Sequence, residues 1–215
     1  MSQDLFEEMR RSIEDGDAGR AAAAARRALD EGIEPLEAID AGFMPGLTFV
    51  GEQFSCGEMF LPDMMLAARA VKAAFAILEP ELAARAMTRN VLGRVVIGTV
   101  KGDIHEIGKN LVATMLGAAG FEVHDLGVDV APEHFAEVAA EVGADIVGVS
   151  ALLTTTMTGQ RTVIAVLAER GLRPGVKVIV GGAPVTRAWA DEIGADGYSE
   201  DAIGAVALAR SLVGA

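Results

Sequence analysis

The sequence predicts two domains of different class: a four-helix bundle over residues 1–90, then a doubly wound parallel α/β domain over 91–215. Three observations carry this prediction. Apolar residues in the first half recur at helical spacing. In the second half they form continuous β-branched runs that alternate with helix-like stretches, the pattern of a parallel sheet covered on both faces. The 215 residues are 51% apolar, which gives each half the material for its own core.

Leu5, Phe6, Met9 and Ile13 share one face of a first helix. Asp17 is placed to cap a second, which runs over 21–29 and stops near Gly32. Pro35 opens a third segment over 36–54, which Gly42, Pro45 and Gly46 are expected to bend or break. A fourth begins near Pro62 and runs to Leu78, with Met64, Met65, Ala68, Val71, Phe75 and Leu78 to one side. Short loops between four helices predict an antiparallel bundle. The polar run 79–90 is read as the link, with a hinge near 79–92.

In the second half, strands are expected at 91–100, 121–126, 144–150, 176–180 and near Gly197-Tyr198. The helices between and after them fall at 108–120, 132–142, 158–170, 186–193 and 201–213. Ligands of such a sheet bind beyond the carboxyl ends of its strands.

Net charge is −13, so phosphate backbones and anionic lipid are poor partners. The single cysteine, Cys56, excludes a disulfide framework and a multi-cysteine metal site, and fits a cytoplasmic protein. No signal peptide or long uncharged apolar span is present in the sequence.

Three blocks fall at strand ends. The first is Gly102-Asp103-Ile104-His105-Glu106-Ile107-Gly108. Asp103 lies within reach of the second ring nitrogen of His105, and such a carboxylate fixes the tautomer of a metal-ligating histidine. By itself, Asp-x-His is more often a surface pair or a cap. His124 and His134 are expected at exposed positions, so a zinc set is lacking. Phosphate-binding and dinucleotide fingerprints are absent. The second block, Ser150-Ala151-Leu152, leads into Leu153-Thr154-Thr155-Thr156, whose hydroxyls can meet a polar ligand. The third is Gly181-Gly182-Ala183, which reads either as a tight turn or as a close approach to a bulky group.

The spacing decides between these readings. Asp-x-His-x-x-Gly, forty-one residues (109–149), Ser-x-Leu, twenty-eight residues (153–180), then Gly-Gly resembles the signature of cobalamin-binding domains that hold the cofactor base-off and His-on. The resemblance implies a Rossmann-like domain and assigns roles. His105 becomes the lower cobalt ligand and Asp103 its hydrogen-bond partner. Thr156 stands where methionine synthase carries a serine of the same relay. Ser150, Leu152 and Thr154 line the channel for the displaced nucleotide tail. Gly181, Gly182 and Ala183 flank it, with Tyr198 and Asp201 near its far end.

The segment from Gly57 to Pro62 and the helix after it resemble the helical cap of methionine synthase and of methanol and methylamine corrinoid proteins. In that family an aromatic at Phe60, with Met64 nearby, shields the methyl group; plain bundle packing is the alternative for both. The implied activity is a shuttle that carries methyl on cobalt from a donor-specific methyltransferase to a second one, with tetrahydrofolate or a thiol as acceptor. A reductive activator is a further implied partner. His105 is expected to leave the metal and take a proton when the methyl departs, sharing it with Asp103 and Thr156. The alternatives are a cobalamin-dependent sensor or regulator and a mutase-associated binding module.

Overall fold

The computed structural model describes residues 2–84 and 91–214. The chain forms two compact units, Met1–Asn90 and Val91–Ala215.

The first unit is helical. It contains α1 (Ser2–Glu14), α2 (Ala18–Asp30), a single turn α3 (Pro35–Glu37), α4 (Met44–Ser55) and α5 (Leu61–Ala84). Asp17 caps α2 by accepting the Arg20 N–H at 2.9 Å. Leu5, Met9, Ile13, Phe43, Val50, Met64 and Leu78 are buried. Two expectations need correction. The third segment is not broken, because α3 continues through a wider π-type turn, Ala38–Phe43, into α4. Pro45 falls directly after the π-type turn, where the helix passes into α4, and costs this continuous segment one backbone hydrogen bond. Gly42 and Gly46 serve close packing instead: a Cβ on Gly46 would lie 2.4 Å from the Arg10 carbonyl oxygen of α1. The fourth helix also runs past Leu78 to Ala84, with Pro80 inside it. Burial of Leu78 and Leu82 holds this last stretch against the one hydrogen bond that proline removes. The rest of the expected link and hinge, residues 85–90, lies outside the described residues.

The second unit is a five-stranded parallel sheet: β1 (Arg94–Thr99), β2 (Glu122–Asp125), β3 (Ile146–Ser150), β4 (Lys177–Gly181) and β5 (Gly197–Tyr198). Its order is β2-β1-β3-β4-β5. The crossovers are α6 (Ile107–Ala118), α7 (Pro132–Val142), α8 (Thr158–Glu169) and α9 (Arg187–Ile193), and α10 (Ala202–Val213) follows β5. Alternate strand residues face opposite layers. Val95, Ile146 and Ile179 pack with Leu116 of α6 and Ala209 of α10. Val96, Val147 and Val178 pack with Phe135 of α7, Leu167 of α8 and Ile193 of α9. Gly98 in β1 makes room for the fully buried Phe135, whose Cζ would lie 2.8 Å from a Cβ there. The strand order reverses between β1 and β3, so the loops after these two strands part at the sheet's carboxyl edge.

Candidate functional site

At this edge, β1 delivers the loop that carries Asp103 and His105. Gly102 makes the turn at φ +83°, a conformation that favours glycine. The Asp103 side chain is fully buried. Each of its oxygens takes two hydrogen bonds. Oδ1 lies 2.7 Å from His105 Nδ1 and accepts the His105 backbone N–H at 3.1 Å. Oδ2 accepts the Leu152 N–H at 2.8 Å and the Thr156 hydroxyl at 2.7 Å. Burial by itself pushes the Asp103 carboxyl up. The hydrogen bonds from Thr156, Leu152 and His105 outweigh it, and together hold the group well below the usual carboxylate range. Asp103 is therefore held as an anion at His105 Nδ1, and a carboxylate there selects the tautomer that leaves Nε2 as the lone-pair nitrogen.

The His105 side chain is 45% exposed. Among the described residues, Nε2 takes no hydrogen bond. On the loop after β1, at the start of α6 and on the loop after β3, Ile104, Ile107, Leu152 and Leu153 are exposed, although all are large apolar side chains. A Cβ on Gly108 would meet nothing within 4 Å. A free ring nitrogen, with exposed apolar side chains on its own loop and on the loop after β3, fits a metal whose other ligands come from a flat macrocycle. A protein-only metal site does not fit, since no group of three or more His, Cys, Asp or Glu able to hold an ion occurs among the described residues.

The other expected residues fall as follows. Glu106 precedes α6 and is exposed. Ser150 ends β3, and Thr154 is exposed in the loop beyond it. Gly181 ends β4 opposite Ser150. Gly182, at φ +126°, lies so close to the loop after β3 that a Cβ would sit 1.8 Å from the Ala151 carbonyl oxygen. Its lack of a side chain thus serves backbone packing at the β3–β4 junction, and Ala183 beyond it is exposed. Tyr198, in β5, packs under the Arg187 guanidinium at 5.6 Å from its ring centre. Asp201 caps α10 by accepting the Gly204 N–H at 2.7 Å. Phe60 is exposed just before α5, its N–H donating to Asp63 at 2.8 Å. Met64, one turn on, is buried. His134 is exposed as expected, whereas His124 is half-buried and pairs with Glu122 at 2.8 Å.

Two contributors were not read from the sequence. Thr99, fully buried at the end of β1, donates its hydroxyl to the His105 carbonyl oxygen at 2.9 Å. The Leu152 N–H is a backbone group that no side-chain pattern marks. A hydroxyl closing a β-branched run was the one available signal for Thr99.

A family model described as a B12 binding domain matches residues 93–207, and a second of the same description matches 5–79. A corrinoid protein of Desulfitobacterium hafniense is 47% identical over 215 residues, covering all of both chains. Dimethylamine corrinoid protein 2 of Methanosarcina acetivorans is 50% identical, covering 98% of this chain and 97% of that one. Among solved structures, a cobalamin-binding protein from D. hafniense superposes with TM-score 0.78 at 34% identity, covering 96% of this chain and 98% of that one. The methanol:cobalamin methyltransferase complex of Methanosarcina barkeri gives TM-score 0.86 at 28% identity, covering all of this chain and 81% of that one.

Proposed function

The chain belongs to the B12-binding corrinoid proteins, and from that premise we propose that it carries a methyl group between two methyltransferases, holding its cofactor base-off and His-on. The single observation behind the second half of this reading is the geometry at His105: Nδ1 engaged by a buried, four-fold bonded Asp103, and Nε2 left outward. His105 Nε2 would hold the cobalt. Ser150, Leu152, Thr154, Gly181, Gly182, Ala183 and Tyr198 border the path of the nucleotide tail. Gly102, Ile104, Glu106, Ile107 and Gly108 frame the ring around His105. When bound, the corrinoid supplies a cobalt centre that accepts a methyl group and gives it up.

The protein's own part is to hold the imidazole and a proton. The expected sharing of a proton by Asp103 needs correction: its carboxyl is held well below the usual range, so it faces Nδ1–H as a fixed acceptor near neutral pH. The ring keeps its orientation whether Nε2 is ligating or carries a proton. Thr156 keeps Asp103 Oδ2 occupied and so reserves Oδ1 for His105. Phe60, exposed and pinned by Asp63, is read as the shield of the upper face; Met64 is assigned to the same region by resemblance alone. The partners are a donor-specific methyltransferase, a second methyltransferase for tetrahydrofolate or a thiol, and a reductive activator. Names such as dimethylamine and trimethylamine corrinoid protein among the relatives favour a methylated amine as donor. They also favour a carrier over a sensor or a mutase-associated module. Among the described residues no helix is long and apolar enough to cross a membrane.

The test is an absorption spectrum of the protein mixed with methylcobalamin and desalted. Retained corrinoid with a His-on spectrum is expected. His105→Ala is expected to keep some corrinoid through the tail channel and to lose the His-on bands. A colourless, demonstrably folded protein would overturn the reading.

A further inference from the structure

Asp129, in the loop between β2 and α7, is the one non-glycine residue with positive φ among the described residues, at 54°. An L side chain pays for that conformation, and aspartate and asparagine tolerate it better than most. Glycine would adopt it freely, so the side chain must offer something glycine lacks. Its Oδ1 accepts the Gly102 N–H at 2.7 Å, and its own N–H donates to the Asp103 carbonyl oxygen at 2.9 Å. It thus brackets the Gly102–Asp103 peptide from the β2 side, while Leu152 and Thr156 hold the Asp103 side chain from the β3 side. The bracket is itself anchored. Thr99 N–H donates to Gly127 and Val130 N–H to Thr99, both at 3.0 Å. Asp125, which accepts the Gly127 N–H, is ion-paired to the buried Lys109 of α6.

We propose that Asp129 is a positioning residue that sets the loop angle from which His105 reaches the cobalt. It touches neither the ring nor the reacting atoms and acts through Gly102 and Asp103. Residues held in sparsely populated backbone regions persist where their surroundings over-determine them, and they cluster at functional sites. The inference rests on the reading that His105 is the axial ligand.

The test uses the full-length protein, labelled with nitrogen-15, as parent, Asp129→Asn, Asp129→Gly and His105→Ala. In the cofactor-free protein, amide exchange is read at Gly102. In protein loaded with cobalt(II) cobalamin, the electron paramagnetic spectrum separates a protein nitrogen, a two-line splitting, from the cofactor's own base, a three-line one. Asp129→Asn, which keeps an acceptor and tolerates the backbone, is expected to match the parent. Asp129→Gly is expected to stay folded and to exchange Gly102 about tenfold faster, as befits one lost hydrogen bond to a charged acceptor. It is also expected to bind cobalamin about tenfold more weakly, the lower end for losing outer support of a metal ligand, and to lose two-line signal. Parent-like splitting in Asp129→Gly, with or without faster exchange, would overturn the proposal. So would loss of the fold, which would make Asp129 a general stability residue. A parent that itself lacks the two-line splitting and behaves as His105→Ala does would instead bring down the ligand reading, and this inference with it.

Discussion

The chemistry of Asp103 turns on the number of donors around it. A buried carboxylate is costly, yet four hydrogen bonds fill both its oxygens and keep it ionised. Its acid response follows from that. A carboxyl held below its ordinary value, 3.8, stabilises the fold fully above that value. The contribution is then lost as pH falls toward the lowered one. Asp103→Asn is therefore expected to cost about 1–3 kcal/mol at pH 7. The gap from the parent should narrow as pH falls below the ordinary carboxylate range. Thermal unfolding of both proteins across that range checks it; a gap that widens toward acid would refute the account. At this scale the spacing of three blocks pointed to Asp103 and His105, and the resemblance it carries pointed to Thr156. The sequence could not disclose Asp129 or the Leu152 N–H. The first matters through a backbone angle and the second has no side chain in the contact, and neither leaves a residue pattern.

The sheet's carboxyl edge is held by one polar node. Gln160, fully buried in α8, donates to the carbonyl oxygens of Val149 in β3 and Gly181 in β4, at 2.9 and 3.1 Å. Its own carbonyl oxygen accepts the Trp189 indole N–H of α9 at 2.9 Å. The node joins two strand ends and two helices where Ser150 and Gly181 stand opposite each other. Gln160→Leu, nearly the same size, would orphan the indole N–H and remove one hydrogen bond from each carbonyl. It is expected to cost about 2 kcal/mol in chemical denaturation. Trp189 is the single tryptophan of the chain, so a shifted emission from the still-folded variant would locate the loss. Unchanged stability and emission would show the node to be idle. Element identities in this half were legible because apolar runs and helix-like stretches alternate cleanly. Their ends were less so: the strands expected at 91–100 and 121–126 form ladders over Arg94–Thr99 and Glu122–Asp125, with Val100 adding an isolated bridge to Val130. Pairing length depends on the neighbouring strand, which local composition does not specify. The bend or break expected near Gly42, Pro45 and Gly46 falls on a π-type turn, and the glycines there answer to α1 packed against them and not to their own helix.

At the scale of the whole molecule, the two units differ in what they expose: the loops after the strands in one, and an aromatic side chain in the other. Phe60 shows 65% of its surface, with Leu61, Met65 and Leu66 also exposed after it. Phe60→Ala is expected to leave cobalamin retention unchanged and to raise the photolysis rate of bound methylcobalamin, read under constant illumination. Equal rates in the two proteins would remove the case for shielding. The class of each unit could be read from periodicity; what the helical unit is for came from its resemblance to known caps, since bundle packing alone would explain most of its apolar residues.

The sheet has a further consequence for handling the protein at high concentration. Its outer strands are brief: β5 has two residues, and β2 four, of which Glu122, His124 and Asp125 are polar or charged. Short, charged margins offer little unpaired backbone to a second copy, and a net charge of −13 adds mutual repulsion. Stacking of copies edge to edge into fibrous or amorphous deposits is thus disfavoured from both sides of the sheet.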